Sequence, residues 1–532
     1  MTFHGFFIKE GFMSQIKKSS IGKNAAILGL AGIIVKIFGA IYRIPMTALI
    51  KDVGIGYFQS AYPIYEIMLA ISTAGLPVAV STIVSREIAK ENYLNSKKTF
   101  KVAFWFMAFL GMLLALLLWI FAKPLVNFLG NPGSYYSMLA LIPAMVFSPP
   151  LAAMRGYYQG LELMTSTAIS QIIVQGTRVA TGLYLCYLLI PYGLEASAGG
   201  ASAGAGIGAF LGVMYMLLVH KKHRREVSDS LNTNKENVMN SKGILSELIK
   251  IAIPISIGAA IMPIMDTIDI RLVMKGLLKA GFSLEEANLR FGWLKGMAQT
   301  LISLPQVIGI ALGVSMIPVV SKLFTLKNED KLVNKVSSIN KITLFIAFPA
   351  MFGLFSLSEP IIRLLYGSTG AEAIEGTAKI LRILSISIPA LMLINVNTSI
   401  LQAVGKEKVP VINLLIGGVF KIILTYILTQ RPEINVYGAA IGTVVSFTIT
   451  GLLDIYYVKK KIGLKMASKT FISVVASALM GGAAYMVWKA LSTKISSNIA
   501  TLAAVIVGAV IYVAILFGTK TVTKKDLEEI RE

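Results

Sequence analysis

Residues 24–50 read NAAILGLAGIIVKIFGAIYRIPMTALI. As a helix, this stretch is long enough to cross the roughly 30 Å of hydrocarbon in a bilayer. Only two charges interrupt it, Lys36 and Arg43, and both are cations. An ionisable group at that depth is expensive, so it normally faces a bundle interior or a wet cavity. The run therefore predicts a membrane helix with a polar inner face.

About fourteen runs of this kind fill the chain, with expected spans at 24–50, 57–84, 102–122, 136–154, 165–190, 197–219, 244–274, 291–320, 342–358, 380–402, 409–429, 436–457, 470–488 and 497–518. The first, seventh and eighth are long, so tilt or kinking is expected there. The 532 residues are 55% hydrophobic and 14% charged, with mean hydropathy +0.72. A soluble chain of this size would need more charge for its surface. The reading is an all-α integral membrane protein.

The net charge of +23 is not spread like that of a nucleic-acid binder. Lysine and arginine favour one set of alternating loops by roughly threefold, the positive-inside pattern, which predicts a cytoplasmic N-terminus and C-terminus. The densest groups are Lys221-Lys222-His223-Arg224-Arg225, Lys459-Lys460-Lys461 and the stretch from Lys322 to Lys341. Their ordinary partner is anionic lipid of the inner leaflet, and no nucleic acid is expected. The lone Cys186 excludes a disulfide framework, and His4, His220 and His223 lack ligand spacing, so no metal site is expected. No phosphate-binding loop occurs: Gly22-Lys23-Asn24 and Gly405-Lys406-Glu407 lack the required Ser or Thr. The chain reads as a transporter without a cofactor, not an enzyme. Membrane potential, H+ or Na+ are the available energy sources.

A polar stretch at 220–243 looks like a cytoplasmic linker. It divides the chain into an N-terminal segment (1–23), an N-lobe (24–219), the linker, a C-lobe (244–457), a helix pair (458–518) and a tail (519–532). The lobes resemble each other. Setting Gln159 on Gln402 places Ala168-Ile169 on Val411-Ile412 and Arg178 on Lys421 without a gap. Gly204-Ala205-Gly206-Ile207-Gly208 likewise resembles Gly438-Ala439-Ala440-Ile441-Gly442. With six spans each, the repeats share one orientation.

Charges within the spans are Arg43, Glu66, Arg178, Asp266, Asp269, Arg271, Lys295, Arg382 and Lys421. The excess is cationic and suits an anionic substrate. Arg43 offers bidentate geometry to phosphate oxygens, whereas Lys36 and Lys295 act as point charges. Gln59 and Gln299 offer amides, and Tyr57, Tyr62 and Tyr65 offer faces for sugars. Glu66 can carry a proton or simply neutralise Arg43. Arg271 suits either the substrate or the interface. Asp266 and Asp269, at i and i+3, share one helix face.

Lys36-Ile37-Phe38-Gly39-Ala40-Ile41-Tyr42-Arg43-Ile44-Pro45, Tyr57-Phe58-Gln59-Ser60-Ala61-Tyr62-Pro63-Ile64-Tyr65, Ser72-Thr73-Ala74-Gly75-Leu76-Pro77 and Arg155-Gly156-Tyr157-Tyr158-Gln159-Gly160 together resemble the stage V sporulation protein B family. That family includes MurJ-type lipid II flippases and belongs to the multidrug/oligosaccharidyl-lipid/polysaccharide exporter superfamily. The resemblance covers essentially the whole chain. It implies fourteen helices, with two six-helix lobes around a V-shaped, alternating-access cavity and a C-terminal pair that forms a groove for a polyprenyl tail. The implied cargo is a lipid-linked oligosaccharide, lipid II foremost, in a bacterial cell membrane beside the cell-wall synthesis machinery. Arg43 and Lys36 match the family's basic pair on the first helix. Its second-helix and eighth-helix arginines fall instead near Leu69 and Thr300. A sodium site is associated with the family's helices seven, eleven and twelve. Here Lys421, with Thr425 one turn on, occupies the eleventh, so a built-in ammonium paired with Asp266 or Asp269 is expected; a permanent structural ion pair is the other reading. Other lipid-linked polysaccharide intermediates, multidrug/cation antiport and a non-transporting scaffold role remain alternatives.

The charge pattern fixes a labelling result. In a Cys186→Ser background, a cysteine at Ser283 should react with an impermeant thiol reagent added outside cells. One at Ser228 should react only after permeabilisation. The opposite pattern would overturn the topology.

Overall fold

The computed structural model describes residues 21–228, 239–464 and 469–519. Most of the expected N-terminal segment, the centre of the linker and nearly all of the tail lie outside the described residues. The described residues are helical, with no strand among them. Among the described residues, ten helices are long and apolar enough to cross a membrane, or up to twelve if each of two bent pairs is one span. This is a multi-pass membrane protein.

The expected count of fourteen is higher for two reasons. The first two expected spans, 24–50 and 57–84, share one continuous helical run from Ile21 to Ala89, counted once as Ile37–Ala89. The expected span 165–190 lies on a helix, Met164–Leu188, that is rich in Thr, Ser and Gln and is outside the ten to twelve. The fourteen expected spans nevertheless fall mostly on helix, with turns at Leu141, Leu357 and Ile386-Ser387.

The chain forms two compact units, Met1–Ile50 with Tyr57–Ile270, and Lys51–Gly56 with Arg271–Glu532. In the first unit, α1 (Ile21–Leu69) carries Pro45 and Pro63 and breaks at Lys51, whose φ of 55° is left-handed. A π-helical turn, Ala70–Ala74, joins it to α2 (Gly75–Ala89). Then follow α3 (Tyr93–Leu129), α4 (Tyr135–Ala140), α5 (Ile142–Gly160), α6 (Met164–Leu188) and α7 (Leu194–Ser228). The first part of α8 (Ser241–Lys279) completes the unit. Helix α7 runs on past the expected start of the linker to Ser228. Its cationic end is favourable near a helix C-terminus, and His223 Nδ1 lies 3.1 Å from Val219 O.

Helix α3 explains how the sequence builds such a unit. Trp105, Phe109, Met112, Leu116 and Trp119 recur at helical spacing and are 51–64% exposed. Ala103, Met107, Gly111, Ala115 and Ala122 lie on the buried side. Large apolar groups outside and small ones inside would ruin a soluble protein, but the pattern suits a helix facing lipid. The core joins Val80 and Ile83 of α2, Met107 of α3, Met154 and Tyr158 of α5, Met216 of α7 and Leu248 of α8.

In the second unit, α9 (Leu284–Phe291) opens with a capping box between Ser283 and Glu286. It continues through a π-helix, Gly292–Ala298, into α10 (Gln299–Thr325). The next helices are α11 (Glu329–Ser356), α12 (Ser358–Tyr366), α13 (Ala371–Ser385), α14 (Ile388–Ala403), α15 (Lys408–Thr429) and α16 (Tyr437–Ile462). Val320, Val336, Ile400 and Val458 knit α10, α11, α14 and α16 together. The C-terminal pair, α17 (Lys469–Leu491) and α18 (Ser497–Gly518), docks on α11: the Tyr512 hydroxyl donates to Phe345 O at 2.8 Å, and Ser473 Oγ lies 2.8 Å from it.

Close approach of α6 and α7 depends on Gly204, where a Cβ would sit 2.5 Å from Arg178 O. Gly204→Ala must separate the helices and should cost about 1–3 kcal/mol. At Gly176 on α6 a Cβ meets nothing within 4 Å. Gly176→Ala should therefore stabilise by about 0.5–1 kcal/mol through helix propensity. Thermal unfolding in detergent should lower the first midpoint and raise the second.

Candidate functional site

The first unit gathers intramembrane charge around aromatic rings. From α1, Phe58 stacks on Tyr62 with centroids 5.6 Å apart, and Tyr62 meets Tyr65 at 5.5 Å. The Arg178 guanidinium, from α6, lies over the Tyr62 ring at 4.8 Å. Glu66 and Arg43 lie within electrostatic reach of the Tyr62 hydroxyl. The structure therefore brings Arg43, Glu66 and Arg178 into one neighbourhood. An arginine flanked by π-faces is attracted to ring quadrupoles, which offset part of its desolvation. Tyr42 fixes the wall behind it, its hydroxyl donating to Ala201 O at 2.8 Å.

Other expected residues of this unit take different places. Gln59 and Asp269 are buried, and Asp266 is half-buried. Lys36 lies on α1, but its side chain is outside the described residues. Of the three tyrosines offered for sugar, Tyr65 is buried and Tyr57 packs its ring against Gly133, leaving Tyr62 beside Arg178.

In the second unit, Arg271 at the divide in α8 is half-buried. Lys295 is buried within the π-helix, and Gln299 follows at the start of α10. Lys421 is half-buried on α15. Thr425 is fully buried, and its hydroxyl has no hydrogen-bond partner. Asp266 and Asp269 belong to the first unit and Lys421 to the second, so their pairing stays an expectation of the sequence.

Two buried polar pairs escaped the sequence reading. The Trp293 indole donates to Asp52 Oδ2 at 2.9 Å, and Asp52 Oδ1 accepts from Val53 N at 3.1 Å. Asp52 lies in the Lys51–Gly56 stretch of α1, just after the break at Lys51, and that stretch belongs to the second unit. On α15 and α16, Asn413 Nδ2 donates to the fully buried Asp454 Oδ1 at 2.7 Å, while Asp454 Oδ2 has no partner. A Trp among small residues, Gly292-Trp293-Leu294-Lys295-Gly296, was the available signal for the first pair. Nothing in the sequence distinguished the second from an interfacial Asp. Among the described residues, no cluster of His, Cys, Asp and Glu could hold a metal ion.

A family model described as lipid II flippase MurJ matches residues 181–506, and one described as polysaccharide biosynthesis protein matches residues 21–324. The chain belongs to the MurJ family. The lipid II flippase MurJ of Bacillus subtilis (strain 168) is 28% identical, with 87% of each chain covered. Stage V sporulation protein B of the same organism is 23% identical, over 96% of this chain and 98% of the relative. A solved structure, lipid II flippase MurJ in an inward closed conformation, matches with a TM-score of 0.69 at 19% identity, covering 92% of this chain and 98% of that one. The fold is thus the MurJ fold.

Within this MurJ-family chain, the Asp52–Trp293 bond is the polar contact most exposed to a clean test. Asp52→Ala would leave a buried indole N–H unpaired, which typically costs about 1–3 kcal/mol. Its thermal midpoint should fall, and adding Trp293→Phe should cost less than the two single losses combined. Simple additivity would show that the bond contributes nothing.

Proposed function

We propose that the chain is a flippase that carries a polyprenyl-pyrophosphate-linked cell-wall precursor, lipid II foremost, from the inner to the outer leaflet by alternating access. The observation that carries this reading is a MurJ-family chain with Arg178 over the Tyr62 ring, and Arg43 within electrostatic reach of the same tyrosine, inside apolar helices. A pyrophosphate-sugar head cannot enter hydrocarbon without replacing its hydration. Guanidinium groups supply that replacement through charge-assisted, two-point hydrogen bonds, and an aromatic face suits a sugar ring. Lys36, Gln59, Lys295, Gln299 and Arg271 are the further groups assigned to the head, with Glu66 balancing the arginines. A cationic cluster is the wrong sign for a cationic drug, which sets the antiport reading below this one. Orientation follows the positive-inside pattern, with both termini in the cytoplasm.

The test is complementation of a strain depleted of its lipid II flippase. The unaltered chain should restore growth. Arg43→Ala should remain folded in the membrane and lose transport by on the order of tenfold or more, the scale of a charged hydrogen bond. Arg43→Lys should recover only part, because a lysine cannot make the bidentate contact. Full growth with Arg43→Ala would remove the phosphate-clamp role, whereas no growth with the unaltered chain would remove lipid II as cargo.

A further inference from the structure

A cavity of about 500 Å³ lies within the first unit, between the end of α1, α3 and α8. Its walls include Ile67, Ile71, Phe106 and Leu110 facing Ile253 and Ile257. The one polar side chain in the lining is Ser256. That hydroxyl is already engaged, donating to Ile71 O at 3.2 Å and accepting from Gly75 N at 3.3 Å, so it serves the π-helical turn. A water needs two to four polar partners, which these walls do not offer. The space is also open to the outside of the unit: Ile71, Ile253 and Ile257 are 44%, 51% and 63% exposed. Around a membrane helix, the medium that fills such an opening is hydrocarbon.

Two features narrow the occupant. Along α8 the lining runs from Ile249 to Ile264. At about 1.5 Å per residue this is roughly 22 Å, about half as much again as one leaflet of a ~30 Å core. It is the reach of one acyl chain, and short for a polyprenyl tail. The Ile249 end also carries the charge. Met239 N donates to Asn95 Oδ1 at 2.9 Å, which sets the start of α3 beside that of α8. Arg86 pairs with Glu247 at 2.6 Å and approaches Glu87, and Lys90 pairs with Glu87 at 3.6 Å. Those contacts occupy both carboxylates. Lys98, Lys101 and Lys250 stand at the same end; Lys250, which directly follows the lining residue Ile249, is exposed and lies within electrostatic reach of Glu247, whose carboxylate Arg86 already pairs.

We propose that this groove binds one acyl chain of an anionic phospholipid, with the phosphate of its headgroup at Lys250. A bound chain fills the gap beside the π-helical turn and supports the Ser256 contact that holds α8 to it. The inference rests on the membrane fold alone and is independent of the cargo.

The test uses the full-length protein in vesicles containing a trace of phosphatidylglycerol or phosphatidylcholine with a photoreactive group near the end of one acyl chain. Irradiation should place the phosphatidylglycerol label on peptides covering 67–71, 106–110 and 249–264, above the label on α18, whose outer face serves as the lipid-exposed background. Lys250→Gln, at an exposed position, should lower that labelling about fivefold, the effect of one lysine at an anionic surface, and leave phosphatidylcholine labelling unchanged. Ala260→Trp should block the groove; an unchanged thermal midpoint without lipid shows that it folds. Equal labelling by the two lipids, or no change in Lys250→Gln, overturns the assignment of an anionic headgroup. Labelling no stronger than on α18 overturns the site. Displacement by undecaprenyl phosphate but not by excess phosphatidylglycerol overturns the phospholipid and makes the groove a tail site for cargo. Each of these outcomes can occur whether or not the protein restores growth in the complementation assay.

Discussion

An arginine inside an apolar helix bundle must be solvated by the protein itself, and much of the first unit follows from holding Arg178. The Tyr62 ring supplies part of that solvation, with Tyr65 beside it and Tyr42 on the same helix. The arrangement stands because α6 and α7 come close enough for Tyr42 to reach Ala201 O, and that approach needs glycine at 182 and 204. In a bilayer, where lipid is as apolar as leucine, small residues that allow such contact supply the attraction a soluble core takes from water. Glycine spacing on one helix and a cation on its neighbour are thus two parts of one arrangement.

The second unit repeats the arrangement with different chemistry. Lys421 sits on α15, and Gly442 of α16 lies where a Cβ would be 3.2 Å from Lys421 O and 3.0 Å from Thr425 Oγ1. Arg178 and Lys421 were aligned by sequence alone, and each has its own backbone carbonyl covered by a glycine of the following helix. The likeness extends to the way each cation-bearing helix is gripped, but one turn out of the glycine register read from the sequence: by its contacts Gly204 answers to Gly442, and Gly200, not Gly204, answers to Gly438. A lysine has no fork of donors and shifts its charge more readily than an arginine, so the two halves do not offer equal anchors for phosphate.

Hydropathy made the helices legible, because in hydrocarbon a backbone has few ways other than helix to satisfy its hydrogen bonds. It also revealed intramembrane cations such as Arg43 and Arg178, whose cost makes them conspicuous in an apolar run. What it could not show is what depends on register. The Asp52–Trp293 pair joins residues far apart in sequence, and Asp52 itself looked like part of an ordinary polar connector. Asp454, near the end of an apolar run, is fully buried against Asn413. The break between the compact units falls inside α8, at Ile270–Arg271, where neither composition nor a turn residue changes.

The two π-helical turns show the same limit and why it matters. Ala70–Ala74 and Gly292–Ala298 contain no proline, so nothing in their composition announces a widened turn. Widening a helix shifts its hydrogen-bond register and frees backbone groups that must find partners inside the membrane. In the first unit Ser256 supplies one partner for Ile71 O and Gly75 N, reached because Gly75 lies against Ala252 O. In the second, the widened turn carries Trp293 toward Asp52 and buries Lys295 in the same segment. A π-turn costs hydrogen-bond quality, and such turns are found often at functional sites. Here one adjoins a groove open to hydrocarbon and the other carries a buried ammonium. In both, a change of register, not of composition, sets which side chains face inward.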